Sequence, residues 1–155
     1  MNLVYPVTLK TYTSGQVGVR FADVPEAITA AGDESAALAA AEDALIVALS
    51  GYVDCGRALP RASKAAAGQP VVALPARVAL KFAIQGAMRQ AGMTQAQLAD
   101  RLGIDARQVR RILNLDHEST IAQMEAALGA LGRRATVTVS KVLPAVVRVA
   151  AVQRP

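Results

Sequence analysis

Arg107, Arg110 and Arg111 stand at i, i+3 and i+4, a spacing that gathers three guanidinium groups on one side of a helix. Such groups pair with phosphates or fork onto guanine O6 and N7, and the Gln108 amide beside them suits adenine if capping does not occupy it. Val109, Ile112 and Leu113 repeat the spacing on a rotated stripe, so burying the apolar set turns the cationic set outward. The implied chemistry is binding to a duplex rather than bond making. A solvated face on an ordinary helical hairpin is the competing reading, against which stand four features that agree: a cap, a small residue, a turn glycine and segregated arginines.

Other chemistry finds few residues to carry it. His117 is the only histidine and Cys55 the only cysteine. One chain therefore assembles neither a histidine-based nucleophilic triad nor a multi-histidine metal centre, and forms no internal disulfide. Cys55 reads as a small buried residue, and His117 as a loop or capping residue or a phosphate contact. Asp23 and Glu26 flank a proline turn, Asp33 and Glu34 belong to a helix start, and Glu42 with Asp43 lies on an outer side. Neighbouring acids do not both point into one site, so neither a divalent-metal nuclease nor any other enzyme is expected. No catalytic residue, metal or cofactor is assigned.

The elements that must hold the arginines are marked by their ends. Thr94 with Gln97 forms a capping-box pattern, Leu98 and Leu102 share a face, and small Ala99 permits close approach. Gly103 supplies a sharp turn, and Asp105 with Gln108 opens the next helix. Two short helices around one tight turn make a helix-turn-helix, the layout that lays a helix in the major groove. It directs Thr94, Gln95, Asp105, Ala106, Arg107, Gln108, Arg110, Arg111 and His117 to DNA.

The 155 residues are 53% hydrophobic, enough for packed cores in one or two domains. Residues 1–69 hold 5 Lys/Arg and 7 Asp/Glu and residues 70–155 hold 12 and 5, net −2 and +7. The split suits a polyanion for the second half and a basic partner for the first. No charged segment with an apolar run and cleavage site opens the sequence, and no apolar run reaches the roughly 20 residues that span a bilayer. A cytoplasmic protein without membrane contact is expected.

Leu3 to Tyr12 and Val17, Val19 and Phe21 alternate around Thr13–Gln16 as a hairpin, with a short third strand at Ala27–Thr29. A helix from Gly32-Asp33 to about Tyr52 carries Leu38, Leu45, Leu49 and Tyr52 on the stripe that covers the sheet. Val71–Leu74 is an edge strand ahead of Pro75. Helices follow over 76–91 and from Thr120, and Arg134–Lys141 alternates like a half-buried strand. These divide the chain into residues 1–62, a linker with an edge strand at 63–75, a DNA-binding and dimerising part at 76–141, and a tail at 142–155. The fold class is α+β. A lone terminal strand needs a partner, so a homodimer or higher even-numbered oligomer is expected, its paired helices about 34 Å apart on inverted repeats.

Tyr5-Pro6-Val7-Thr8-Leu9, Gly18 to Ala27 with its Asp23-Val24-Pro25-Glu26 turn, and Ala58-Leu59-Pro60-Arg61-Ala62-Ser63 after an alanine-rich helix resemble the HicB antitoxins. Asn114 to Thr120 and Ala127 to Gly132 are similar to the branch of that family with a helix-turn-helix. The resemblance covers residues 3 to about 141. It implies a partial RNase H-like first domain that neutralises a HicA-type mRNA-cleaving toxin, with contacts at Tyr5, Phe21, Asp23, Val24, Pro25 and Glu26. It also implies a second domain that represses the operator of its own operon. The alternative is a stand-alone helix-turn-helix regulator whose first domain senses a ligand or protein.

Overall fold

The computed structural model describes residues 3–139. Strand β1 (Val4–Thr11) pairs antiparallel with β2 (Val17–Phe21), β2 with β3 (Ile28–Ala31), and β1 on its other side with β4 (Val71–Ala73), giving the order β3-β2-β1-β4. The expected hairpin, third strand and edge strand are all present, the third one residue later than its pattern suggested.

Register follows from the alternation of side chains. Val7 opposes Phe21, Leu9 opposes Val19 and Tyr5 opposes Val72, while Thr8 opposes Arg20 and Lys10 opposes Gly18 on the other face. Tyr5, Val7, Val19, Phe21 and Val72 are buried and Thr8, Lys10 and Arg20 exposed, so one face is core and the other solvent. Pro6 is tolerated mid-strand for a specific reason. The Val7 amide donates to the Pro70 carbonyl on the β4 side, so the missing Pro6 donor would face β2, whose pairing ends at Val7 opposite Phe21. The exposed Tyr12 ring packs over Gly18, where a Cβ would lie 2.7 Å from it and force the ring aside.

Helix α1 (Glu34–Asp54) starts where Asp33 Oδ1 accepts from the Ala36 amide at 2.8 Å. It runs through Gly51 and buries Ala37, Leu38, Ala41, Leu45, Leu49 and Tyr52 at helical spacing. By length and composition α1 could cross a membrane, yet Glu42 and Asp43 sit at its middle and that apolar stripe is buried in the protein. Among the described residues four further helices follow: α2 (Ala76–Ala91), α3 (Gln95–Leu102), α4 (Ala106–Leu113) and α5 (Ile121–Ala130). The architecture is α+β, an antiparallel sheet with a helix followed by a helical part.

The chain forms two compact units. One comprises residues 3–48 with Pro60–Ala73, so the segment carrying β4 groups with the sheet. The other comprises Leu49–Leu59 with Leu74–Thr138. In the second, Ile84, Met88, Leu98, Ala99, Val109, Ile112, Leu113, Met124, Ala127 and Leu128 make one continuous core.

Two expectations are corrected. Residues 133–139 form no strand, and Val137 and Val139 are 80% and 92% exposed; residues 140 and 141 of that predicted strand, and the tail at 142–155, lie outside the described residues. Among the described residues, alternation there meets no neighbouring strand with which to form a ladder. Cys55, expected to be buried, is exposed just past the end of α1.

The phenol of Tyr5 ties the sheet to the chain beyond α1 by donating to the Pro60 carbonyl at 2.8 Å. Burial, with the Asp23 carboxylate adding to it, pushes that phenol from 10.0 up to about 12. A folded value above the unfolded one means stability that is present below pH 10 and lost as pH rises toward about 12. Tyr5→Phe should cost about 1 kcal/mol at pH 7 in urea unfolding. It should also flatten the alkaline fall in stability; an unchanged slope in the variant would exclude Tyr5 as its source.

Candidate nucleic-acid interface

The helix-turn-helix is built as its sequence dictates. Thr94 Oγ1 accepts from the Gln97 amide at 3.2 Å, and Gln97 Oε1 accepts from the Thr94 amide at 2.8 Å, closing a capping box at the start of α3. At its end Gly103 takes φ 64°; its amide donates to Asp100 and that of Ile104 to Ala99, satisfying carbonyls the helix leaves open. Asp105 Oδ1 then accepts from the Gln108 amide at 2.8 Å and starts α4.

Helix α4 separates its two faces cleanly. Val109, Ile112 and Leu113 are buried in the core with Leu98 and Ala99 of α3. Arg107, Arg110 and Arg111 are exposed, and among the described residues none of their side chains is engaged in a hydrogen bond or ion pair. Other cations are already held: Arg101 donates to the Ala130 carbonyl at 3.0 Å, and Arg133 to Gln90 Oε1 at 2.9 Å. The Gln108 carboxamide does not fold back as a cap and stays exposed, leaving both its polar atoms for an incoming group.

Thr94, Gln95, Asp105, Ala106, Arg107, Gln108, Arg110, Arg111 and His117 are all exposed. The Asp105 carboxylate is engaged with its helix, and a negative group there would repel phosphate, so its part is to position α4. His117 sits in the loop after α4 with its side chain outward.

The residues the resemblance assigned to a toxin divide differently. Tyr5, Phe21 and Val24 are 0%, 2% and 0% exposed, so they support the first unit from inside and cannot touch a partner. Asp23 Oδ2 accepts from both the amide and the hydroxyl of Ser63 at 2.9 Å, a loop clasp. Pro25 and Glu26 remain at the surface.

A polar row on α2 was missed by the sequence reading, which used that helix for its apolar residues. Arg77, Lys81 and Gln85, spaced by four, reach the end of α4 and the loop behind it. Only their spacing could have signalled this.

A two-unit protein whose helical part presents free guanidinium groups from the second helix of a helix-turn-helix belongs, by fold and surface, among DNA-binding regulators. Residues 4–83 match the family described as HicB_like antitoxin of bacterial toxin-antitoxin system, and residues 84–136 match a helix-turn-helix family. The chain is 34% identical over 138 residues to Antitoxin HicB 1 of Photorhabdus laumondii, covering 89% of this chain and 88% of that protein. It is 34% identical to Antitoxin HicB of Escherichia coli K12, covering 83% and 94%, and 39% identical to that of Pseudomonas fluorescens, covering 81% and 86%. The chain belongs to the HicB antitoxin family.

Because a Cβ at Gly103 would meet nothing within 4 Å, its substitution tests backbone conformation alone. Gly103→Ala should cost about 1–2 kcal/mol in urea unfolding, the price of a left-handed residue that is not glycine. An unchanged midpoint would show that the turn does not hold this conformation.

Proposed function

We propose that this protein is the antitoxin of a two-gene system. Its first unit binds and silences a small mRNA-cleaving toxin of the HicA type, and its second represses the operon encoding both. The row of exposed, uncommitted guanidinium groups on α4 carries the DNA half of this reading. Family membership supports the toxin half.

The toxin would be held by surface chemistry. Glu26, Asp33, Glu34 and Asp43 are exposed in the first unit, acids suited to a protein whose own substrate is a polyanion. With Pro25 beside Glu26, they replace the buried Tyr5, Phe21 and Val24 as contact candidates. The protein acts by binding, with no bond-breaking step and no cofactor, and works in the cytoplasm where mRNA and operator are found. It binds DNA as a homodimer or a higher even-numbered assembly. Val137 and Val139, exposed and alternating with Thr136 and Thr138, would gain a buried face by pairing with a second copy.

Co-expression with the adjacent small reading frame tests the toxin half. Growth inhibition by that frame, relieved by this protein in a complex that co-purifies, is expected; a harmless frame or an absent complex refutes it. Replacing Arg107, Arg110 and Arg111 together by alanine should abolish operator binding at physiological salt. The salt dependence should fall by about 0.9 in log–log slope for each phosphate that is no longer neutralised. Neutralisation of the toxin should persist, and wild-type DNA affinity in the triple variant would place the interface elsewhere. A monomeric mass by light scattering at micromolar concentration would refute the dimer.

A further inference from the structure

We propose that Lys81, flanked by Arg77 and Gln85, is a positioning residue for DNA reading, fixing from beneath the end of α4 and the loop that follows it. The inference rests on the reading that α4 enters DNA.

The three side chains rise from one face of α2 like rungs. Gln85 Nε2 donates to the carbonyl of Leu113, the last residue of α4, at 3.1 Å. Lys81 Nζ donates to the carbonyls of both Asn114 and His117. Arg77 pairs with Glu118 Oε1 at 2.7 Å. The loop is also closed on itself, since Asn114 Oδ1 accepts from the Asp116 amide at 2.9 Å and the Asn114 carbonyl accepts from the His117 amide. Ser119 returns to the Arg111 carbonyl at 3.4 Å.

Lys81 is 0% exposed, so no phosphate reaches it. Burial pushes its ammonium below the usual lysine range; Arg77 lowers it further by repulsion, and Asp116 opposes them. The charge is accommodated by what it meets, the Asn114 carbonyl at the negative end of α4 and the His117 carbonyl of the loop beyond it. Only a group with several donors on a flexible stem serves two such carbonyls at once.

Burying Val109, Ile112 and Leu113 sets which side of α4 faces the core, but the hydrophobic effect is non-directional and does not fix hydrogen-bond geometry at the helix ends. The Asp105 cap at one end and the α2 rungs at the other supply direction. Together they determine which edge of α4 presents Gln108, Arg107, Arg110 and Arg111, and hold His117 outward.

The test measures binding to the DNA upstream of the protein's own gene and to a random duplex, across a salt series, under conditions where each variant is folded by circular dichroism. Lys81→Met should weaken upstream binding about tenfold to a hundredfold, the worth of a misplaced base contact. Random-duplex affinity and salt slope should stay near wild type, and Lys81→Arg should recover most of the preference. Arg110→Ala should instead lower the slope by about 0.9. A folded Lys81→Met with wild-type preference overturns the proposal, as does a lowered slope, which would mean direct phosphate contact. If Lys81→Met does not fold, Gln85→Leu gives the same readout, and unchanged preference in it overturns the proposal. A wild-type protein that does not prefer its upstream DNA refutes the underlying DNA reading instead, and this proposal falls with it.

Discussion

An eight-residue helix does not hold itself together in water, and the helix that carries the free guanidinium groups has eight residues, Ala106–Leu113. Its shape and direction must come from outside. Val109, Ile112 and Leu113 supply adhesion by entering a core built from α2, α3 and α5, while Asp105 closes its first turn and Gln85 receives its last residue. Everything the exposed face can do depends on that borrowed rigidity. Three arginines on a mobile segment would still attract a duplex, but they would not present the same atoms each time.

The same economy of means runs through the first unit. A single strand, β1, serves two neighbours along different parts of its length: Val4–Pro6 pair with β4 and Val7–Thr11 with β2. That division lets Pro6 sit in the middle of the sheet, and it draws the segment after α1 back against the first strand. Tyr5 reinforces the closure through the Pro60 carbonyl, and Asp23 does so through Ser63. Surface acids of this unit are consequently displayed on a frame locked at several widely separated points of the chain.

Local grammar explains what was legible in the sequence. Thr94 with Gln97, Gly103, Asp105 and Thr120 with Gln123 each act within four residues, so type and spacing alone locate the helix ends. The segregation of α4 was legible for the same reason. What escaped was non-local. Lys81 meets carbonyls 33 and 36 residues away, and a carbonyl has no sequence signature. Tyr5 resembled a contact residue because its neighbours carried a family pattern, yet its place opposite Val72 puts it on the buried face. Patterns that mark a family mix residues that build a surface with residues that form it.

The alternation at 134–139 is instructive in the opposite direction. Period-two patterning states that one face of a segment is apolar; it does not say what will cover that face. Within the described chain nothing covers Val137 or Val139, and both lie open to solvent. Two alternate apolar positions of this kind are costly only if they stay uncovered, and a strand pairing across a two-fold axis would bury both copies at once while satisfying their backbone groups. In the proposed dimer, the symmetry that would cover Val137 and Val139 is also the symmetry of an inverted repeat in DNA, so one association would set the spacing of two α4 helices and give residues 134–139 a neighbour.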